Sequence, residues 1–229
     1  MRFVNALMFA GLAYAGAAPF AHADSIPLDL SGLQDREEIQ TYFDGGTGGN
    51  GSTGGANLGV TFTAGSTAQT NGVNDGFANV PAAANGAAAY FNQFAAGADV
   101  YLDDPTGFTG GFSFWYSNGS GGTVEVDLYS GVDGTGSLVG SILLSSNNNV
   151  GDCDPSISYC EWSVGGTSFA GTVESVDFTG ANDTTFNNLE TLFSDITIGS
   201  AQPAPEPASL AMFAAGVALV GRVRRRKRG

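Results

Sequence analysis

Phe112-Ser-Phe-Trp-Tyr116, Thr123-Val-Glu-Val-Asp-Leu-Tyr129 and Ser137-Leu-Val-Gly-Ser-Ile-Leu-Leu144 are three short runs parted by glycine-rich joints. In the first, Phe112, Phe114 and Tyr116 occupy every second position, alternating with Ser113 and Trp115. In the second, Val124, Val126 and Leu128 alternate with Glu125 and Asp127. A period of two places one set of side chains on the buried face of a strand and the other set outside. Asn118 to Gly122 and Asp133-Gly134 supply the turns, because Asn, Asp and Gly tolerate the backbone angles that turns need. Three consecutive strands joined this way read as an antiparallel meander.

The same pattern extends outward from these runs. Leu58 to Thr63 reads as a strand with Leu58, Val60 and Phe62 on one face. Phe91 to Leu102 supplies one or two more, and Glu161 to Val164, Val173 to Phe178 and Asp195 to Ile198 supply the rest. One short helix is expected within Leu33 to Phe43, around Glu37, Glu38 and Ile39, and residues 44 to 56 read as a flexible loop. The chain has 229 residues, of which 35 are Gly. That share excludes a helical bundle, since each interior Gly weakens a helix by roughly 1 kcal/mol. The 42% hydrophobic fraction excludes a wholly disordered chain. Eight to ten strands at this spacing predict an all-β fold, a jelly-roll-like β-sandwich over residues 24 to 200.

Charge is concentrated at the two ends. Between Asp24 and Ala204 there are 21 acids and the single base Arg36, a formal charge of −20. A body with that field repels a phosphate backbone, so nucleic acid is not expected as a partner. At the N-terminus Arg2 precedes an apolar run from Phe3 to Ala18, and the run closes on Ala21-His22-Ala23. This is the three-part pattern of a secretory signal peptide over residues 1 to 23, cut between Ala23 and Asp24. Its partners would be the secretory translocon and signal peptidase. Cleavage would also remove His22, the only histidine.

Residues 201 to 229 form a tail in three parts. Pro205-Glu206-Pro207 comes first, then the apolar stretch Ala208 to Val220, then the basic cluster Arg222, Arg224, Arg225, Arg226, Lys227 and Arg228. The apolar stretch of about 13 residues spans roughly 20 Å as a helix, short of a hydrocarbon core of about 30 Å. Snorkelling Arg side chains and local thinning extend its reach, so a short transmembrane helix is expected, with the basic cluster cytoplasmic.

In that order of parts the tail resembles the PEP-CTERM sorting signal, a tail also described as the ice-binding protein C-terminal domain. The resemblance implies an exosortase as partner. It also implies transient residence in the inner membrane of a Gram-negative bacterium, and a final place at the cell surface or in the extracellular polysaccharide. Phe112 to Tyr116, Val124 to Gly136, Phe169-Ala-Gly-Thr172 and Phe193 to Gly199 are similar to the passenger domains that carry such tails. Those domains look like carbohydrate-binding or lectin-like jelly rolls, which implies polysaccharide as a ligand.

The chemistry-bearing residues are few. Cys153 and Cys160 are the only cysteines, and in an oxidising compartment the pair reads as a disulfide closing a small loop. Two thiols with no histidine fall short of a zinc site. Asp75, Asp103, Asp104, Asp152, Asp154 and Asp195 are the hard oxygens a structural calcium ion would need. No spacing among them matches a known calcium loop, and solvated turns account for them better. Glu125 and Asp127 share a strand face about 7 Å apart, the scale of a glycosidase pair. Alternating acids on a strand are the ordinary solvent face. No His means no Ser-His-Asp site in the mature chain, and the body has no Lys for a phosphate loop. Trp115, Tyr129 and Trp162 could stack on sugars or pack in a core. Thr61 and Thr63 alone do not make the flat threonine array of an ice-binding face. The expected function is a non-catalytic surface or matrix protein sorted by an exosortase, with no resident cofactor. The alternative is a secreted glycan-active enzyme using paired carboxylates.

Overall fold

The aromatic alternation sits at the centre of the protein, as a computed structural model of the chain makes visible. The structure describes residues 25–70, 76–81, 86–91, 99–119, 122–147, 159–179 and 191–203. The signal peptide with its Ala23–Asp24 cut, Cys153, and the tail from residue 204 onward lie outside the described residues. Phe112 and Phe114 are fully buried, and their rings meet Phe178 and Phe193. Phe91 closes the cluster, with its ring centroid 4.2 Å from that of Phe178. Edge-to-face and tilted aromatic pairs of this kind contribute about 0.5–1.5 kcal/mol each beyond the area they bury.

Nine strands are present among the described residues: β1 Ile26–Pro27, β2 Thr61–Phe62, β3 Ser66–Gln69, β4 Ala88–Phe91, β5 Tyr101–Asn118, β6 Val124–Tyr129, β7 Leu138–Leu144, β8 Ser163–Asp177 and β9 Thr191–Ile198. All pair antiparallel. The all-β expectation holds, but the two separate sheets of a sandwich do not. Hydrogen bonds join every strand into one open sheet in the order β3-β4-β9-β5-β8-β6-β7, with β1 on β9 and β2 on β5.

The physical reason lies in β5 and β8, which are long enough to bend and carry two sets of partners. The register of β5 shifts between Asp103 and Phe108 and again before Gly110. Pro105 lies in that interval, and Gly107 and Gly110 adopt the left-handed backbone that favours glycine. On β8 the matching bend falls at Gly171. Below the bend, Tyr101 to Asp103 pairs with Ser175 to Asp177, and β6 continues that arm. Above it, Gly110 to Tyr116 pairs with Ser163 to Phe169, and β9 continues the other arm.

The expected meander is corrected too. β6 and β7 form a hairpin, but β8 lies between β5 and β6. β5 and β6 do not pair, and Asn118 at the end of β5 ties it to the β6–β7 arm instead. Its side chain donates to the carbonyls of Gly122 and Leu144, and its amide donates to Asn147 Oδ1 at 2.7 Å. Asn147 in turn donates to the Tyr116 carbonyl and Ser163 Oγ. These bonds lay the β6–β7 arm over the β5–β8 arm, so that Leu144 reaches Gly165 and Phe114 across the core.

The strands expected at 161–164 and 173–178 are one strand, β8. The helix expected over 33–43 does not form: Arg36 and Gln40 have positive φ, and only 3-10 turns at Leu30–Gly32 and Tyr42–Asp44 appear. Leu58, Val60 and Phe62 keep their common buried face, although only Thr61–Phe62 counts as strand.

Candidate functional site

β9 ends at Ile198, and the chain turns at Gly199, whose φ is +84° and whose amide donates to the Gly111 carbonyl at 2.9 Å. Ser200 and Ala201 then cross the outer face of the sheet over Gly111 and Gly166. A Cβ on Gly111 would collide with the backbone of both residues, and one on Gly166 would collide with the Ala201 carbonyl. Gly166 stands opposite Ser113 in the β5–β8 ladder, so the two glycines form a shallow track across adjacent strands. The Gln202 amide donates to Ser200 Oγ at 3.2 Å, which closes the seat. Pro203 is the last described residue, so Pro205-Glu206-Pro207 begins two residues beyond it.

The outer face of the lower arm is acidic and aromatic. Tyr101, Asp177 and Asp127 stand in register across β5, β8 and β6. One row further on, Asp103, Ser175 and Tyr129 do the same. The β6–β7 turn folds back over Asp103. Asp133 and Gly134, both at positive φ, place the Asp133 amide 2.9 Å from Asp103 Oδ1. Ser175 Oγ is tied to the same turn, accepting from the Gly134 amide and donating to the Gly131 carbonyl.

Burial pushes the Asp103 carboxyl up to about 6, and the Asp133 charge adds to this while its amide opposes it. Burial also raises Asp177, aided by Asp99 and Asp127 and opposed by hydrogen bonds from Thr179. The Tyr101 hydroxyl is pushed up to about 12 by burial and by Asp177 and Asp99. Burial and Asp127 raise Tyr129 likewise. The face therefore presents half-buried phenol donors beside carboxylate acceptors. Among the described residues no three His, Cys, Asp or Glu side chains come together as a metal site.

Residues 203–228 match the PEP-CTERM protein-sorting motif. The chain carries a PEP-CTERM sorting tail. No curated protein and no solved structure matches the chain. The motif implies an exosortase as processing partner and an exported protein anchored to the membrane before processing. The glycine track is thus the seat from which a PEP-CTERM tail leaves its folded domain.

Other residues singled out in the sequence are scattered. Glu125 is exposed, whereas Asp127 is half-buried, accepts from Ser141 Oγ and stands opposite Asp177, so the two carboxylates sit in different settings. Asp104 caps its own turn, accepting from Thr106 Oγ1 and the amides of Thr106 and Gly107. Asp195 sits in a bulge of β9, buried, with Oδ2 unpartnered, and burial raises its pKa. The three described aspartates thus sit in three different settings; Asp75, Asp152 and Asp154 lie outside the described residues.

Trp162 is half-buried, donates to the Ala78 carbonyl at 2.8 Å and packs beside Phe77 and Leu192. Trp115 and Tyr129 are half-buried on different arms. Thr63 Oγ1 accepts from the Tyr101 amide, so it anchors β5 rather than an ice-facing array. Cys160 is buried and is not a free thiol; its expected partner Cys153 lies outside the described residues.

The sequence reading missed Glu37. Its carboxylate is fully buried and accepts from the amides of Gln34, Asn50 and Ser52 and from Ser52 Oγ. Burial alone would raise its pKa, but these four bonds outweigh it and hold the group below its ordinary 4.5. Asn50 and Ser52, in the glycine-rich segment expected to be a flexible loop, thus help to cradle an anion, and the anion is the chain's own.

Proposed function

We propose that the protein is a non-catalytic surface or matrix component of a Gram-negative cell envelope, released from its membrane anchor by an exosortase. The secretory translocon delivers it, and signal peptidase cuts between Ala23 and Asp24. Residues 208–220 hold it in the inner membrane, with Arg222 to Arg228 on the cytoplasmic side. Pro205-Glu206-Pro207 is the element the exosortase reads. The observation that carries this reading is the sorting motif beginning one residue after the seated segment Gly199–Gln202. Such a short spacing makes the folded β-domain the passenger and the tail its address.

Polysaccharide is the ligand this reading favours, at the Tyr101–Asp177–Asp127–Tyr129 face. Aromatic rings beside hydrogen-bonding carboxylates suit the apolar faces and hydroxyls of sugars. A Cys153–Cys160 disulfide belongs to the same exported state and would contribute roughly 2–3 kcal/mol.

Intact-mass analysis of the protein from its native host tests the reading. The expected product begins at Asp24, ends near Pro205 and carries the two-hydrogen mass deficit of one disulfide. A steady-state product that retains Arg222 to Arg228 would overturn the processing scheme.

A further inference from the structure

We propose that the edge formed by β7 and the first half of β8 joins two copies of this chain by strand-to-strand pairing. An exposed strand edge presents unpaired amides and carbonyls that another strand can satisfy, and proteins ordinarily block such edges. The opposite end of the sheet is blocked. Along β3, the segment 36–39 supplies the missing partners: the Arg36 amide donates to the Ala68 carbonyl, the Ala68 amide to the Glu37 carbonyl, and the Ile39 amide to the Ser66 carbonyl, all within 2.9 Å. β7 has no such cover among the described residues, nor does β8 between Ser163 and Ala170, since β6 reaches β8 only at Ser175 to Asp177. The two open edges lie side by side, with a Cβ on Gly140 coming 3.7 Å from Thr167 Cγ2.

The composition of this rim separates it from the rest of the body. Leu138–Leu144 and residues 163–172 contain no charged residue and no proline, in a body carrying −20. Of the four large apolar side chains exposed among the described residues, three are here: Leu138 at 57%, Leu143 at 68% and Val164 at 40%. The one irregularity of β7 falls at Val139, near its start, and leaves Gly140 to Leu144 regular. The nearest acids on β6, Glu125 and Asp127, stand one strand in from the edge.

Charge selects the occupant. Two copies of so acidic a body repel at most approaches, and least where both present a strip without carboxylates. An anionic polymer or lipid surface would need cations, and the rim has none. A neutral glycan would need polar side chains where Leu138, Leu143 and Val164 stand. A second copy supplies both the apolar contact and the matching backbone groups.

Sedimentation velocity over a range of concentrations, on the protein recovered from its host, tests this. The wild type is expected to sediment as a dimer at high concentration. Leu143→Lys and Val164→Lys, which place a charge on the edge without touching the core, are each expected to weaken association at least tenfold. Their far-UV spectra and melting midpoints should stay unchanged, and Ile26→Lys, at the remaining exposed apolar side chain, should associate as the wild type does. A wild type that stays monomeric throughout, or lysine variants that dimerise as well as the wild type, would overturn the proposal.

Discussion

Glu37 takes its four hydrogen bonds from Gln34, Asn50 and Ser52, residues that belong to no helix or strand. With so little regular backbone pairing nearby, that one carboxylate organises two stretches of chain, 34–40 and 48–52. Glu37→Ala would leave three amides without their acceptor in a part-buried place, where an orphaned group costs up to about 1–3 kcal/mol. We expect a loss of about 2–4 kcal/mol in denaturant unfolding, with new protease cleavage between residues 48 and 52. Glu37→Gln should fall between, because one of its two oxygens becomes a donor facing donors. An unchanged stability in the alanine variant would mean that the loop holds itself. None of this was legible in Arg36-Glu-Glu-Ile39, since a buried acid and a solvated one have the same letter. The available signal was the run of amide-rich, side-chain-poor residues at 45–56, which needs an acceptor from somewhere.

Among the elements, β6 was legible to the residue, because Val124, Val126 and Leu128 face the core and Glu125 does not. β5 was underestimated because Pro105 and Gly107 suggest an end, whereas here they make a bend with strand on either side. β8 was split in two for the same reason: Gly165-Gly166 and Gly171 erase the alternation that marks a strand. Adjacency in sequence does not carry over to the sheet either, since β8 inserts between β5 and β6. The tail motif, by contrast, was legible because its order of proline, apolar and basic parts does not depend on folding.

Those same glycines make a prediction about the tail. Gly166→Val should push Ser200 and Ala201 off the sheet, since a Cβ at Gly166 comes nearest the Ala201 carbonyl and Ser113 Cβ, on the face opposite the buried rings of Phe112 and Phe114. Limited proteolysis should then cut between Gly199 and Gln202 at least tenfold faster than in the wild type. An unchanged digestion pattern would show that the seat does not depend on the track.

The pH dependence of stability is a property of the whole molecule. Asp103, Asp177 and Asp195 are all raised in the fold above the ordinary 3.8, so they bind protons more tightly folded than unfolded. Their contribution is full below pH 3.8 and is lost as pH rises through the folded value, which for Asp103 is about 6. Glu37 acts in the opposite sense: held below 4.5, it contributes above that pH, and the contribution is lost as pH falls through its lower folded value. Melting temperature is therefore expected to rise on acidification from about pH 7 to about pH 5, then to level off and turn down once the pH falls below the ordinary 4.5 of Glu37 towards its lower folded value. Asp103→Asn keeps the acceptor for the Asp133 amide without the buried charge. It should stabilise the protein at neutral pH by about 1–3 kcal/mol and flatten the profile above pH 5. A wild-type melting curve that declines from pH 7 to pH 5 would contradict the assignment.

The seat of the tail also fixes how the domain sits before release. Five residues, Pro203 to Pro207, separate seated Gln202 from the apolar run at Ala208. Fully extended they reach about 17 Å. On the proposed reading, in which residues 208–220 hold the unprocessed protein in the membrane, a tether springing from the middle strands would bring the β5–β8 face, rather than a rim, nearest the lipid. The rims would then be left free to point along the membrane, where neighbouring copies would meet by diffusion in two dimensions.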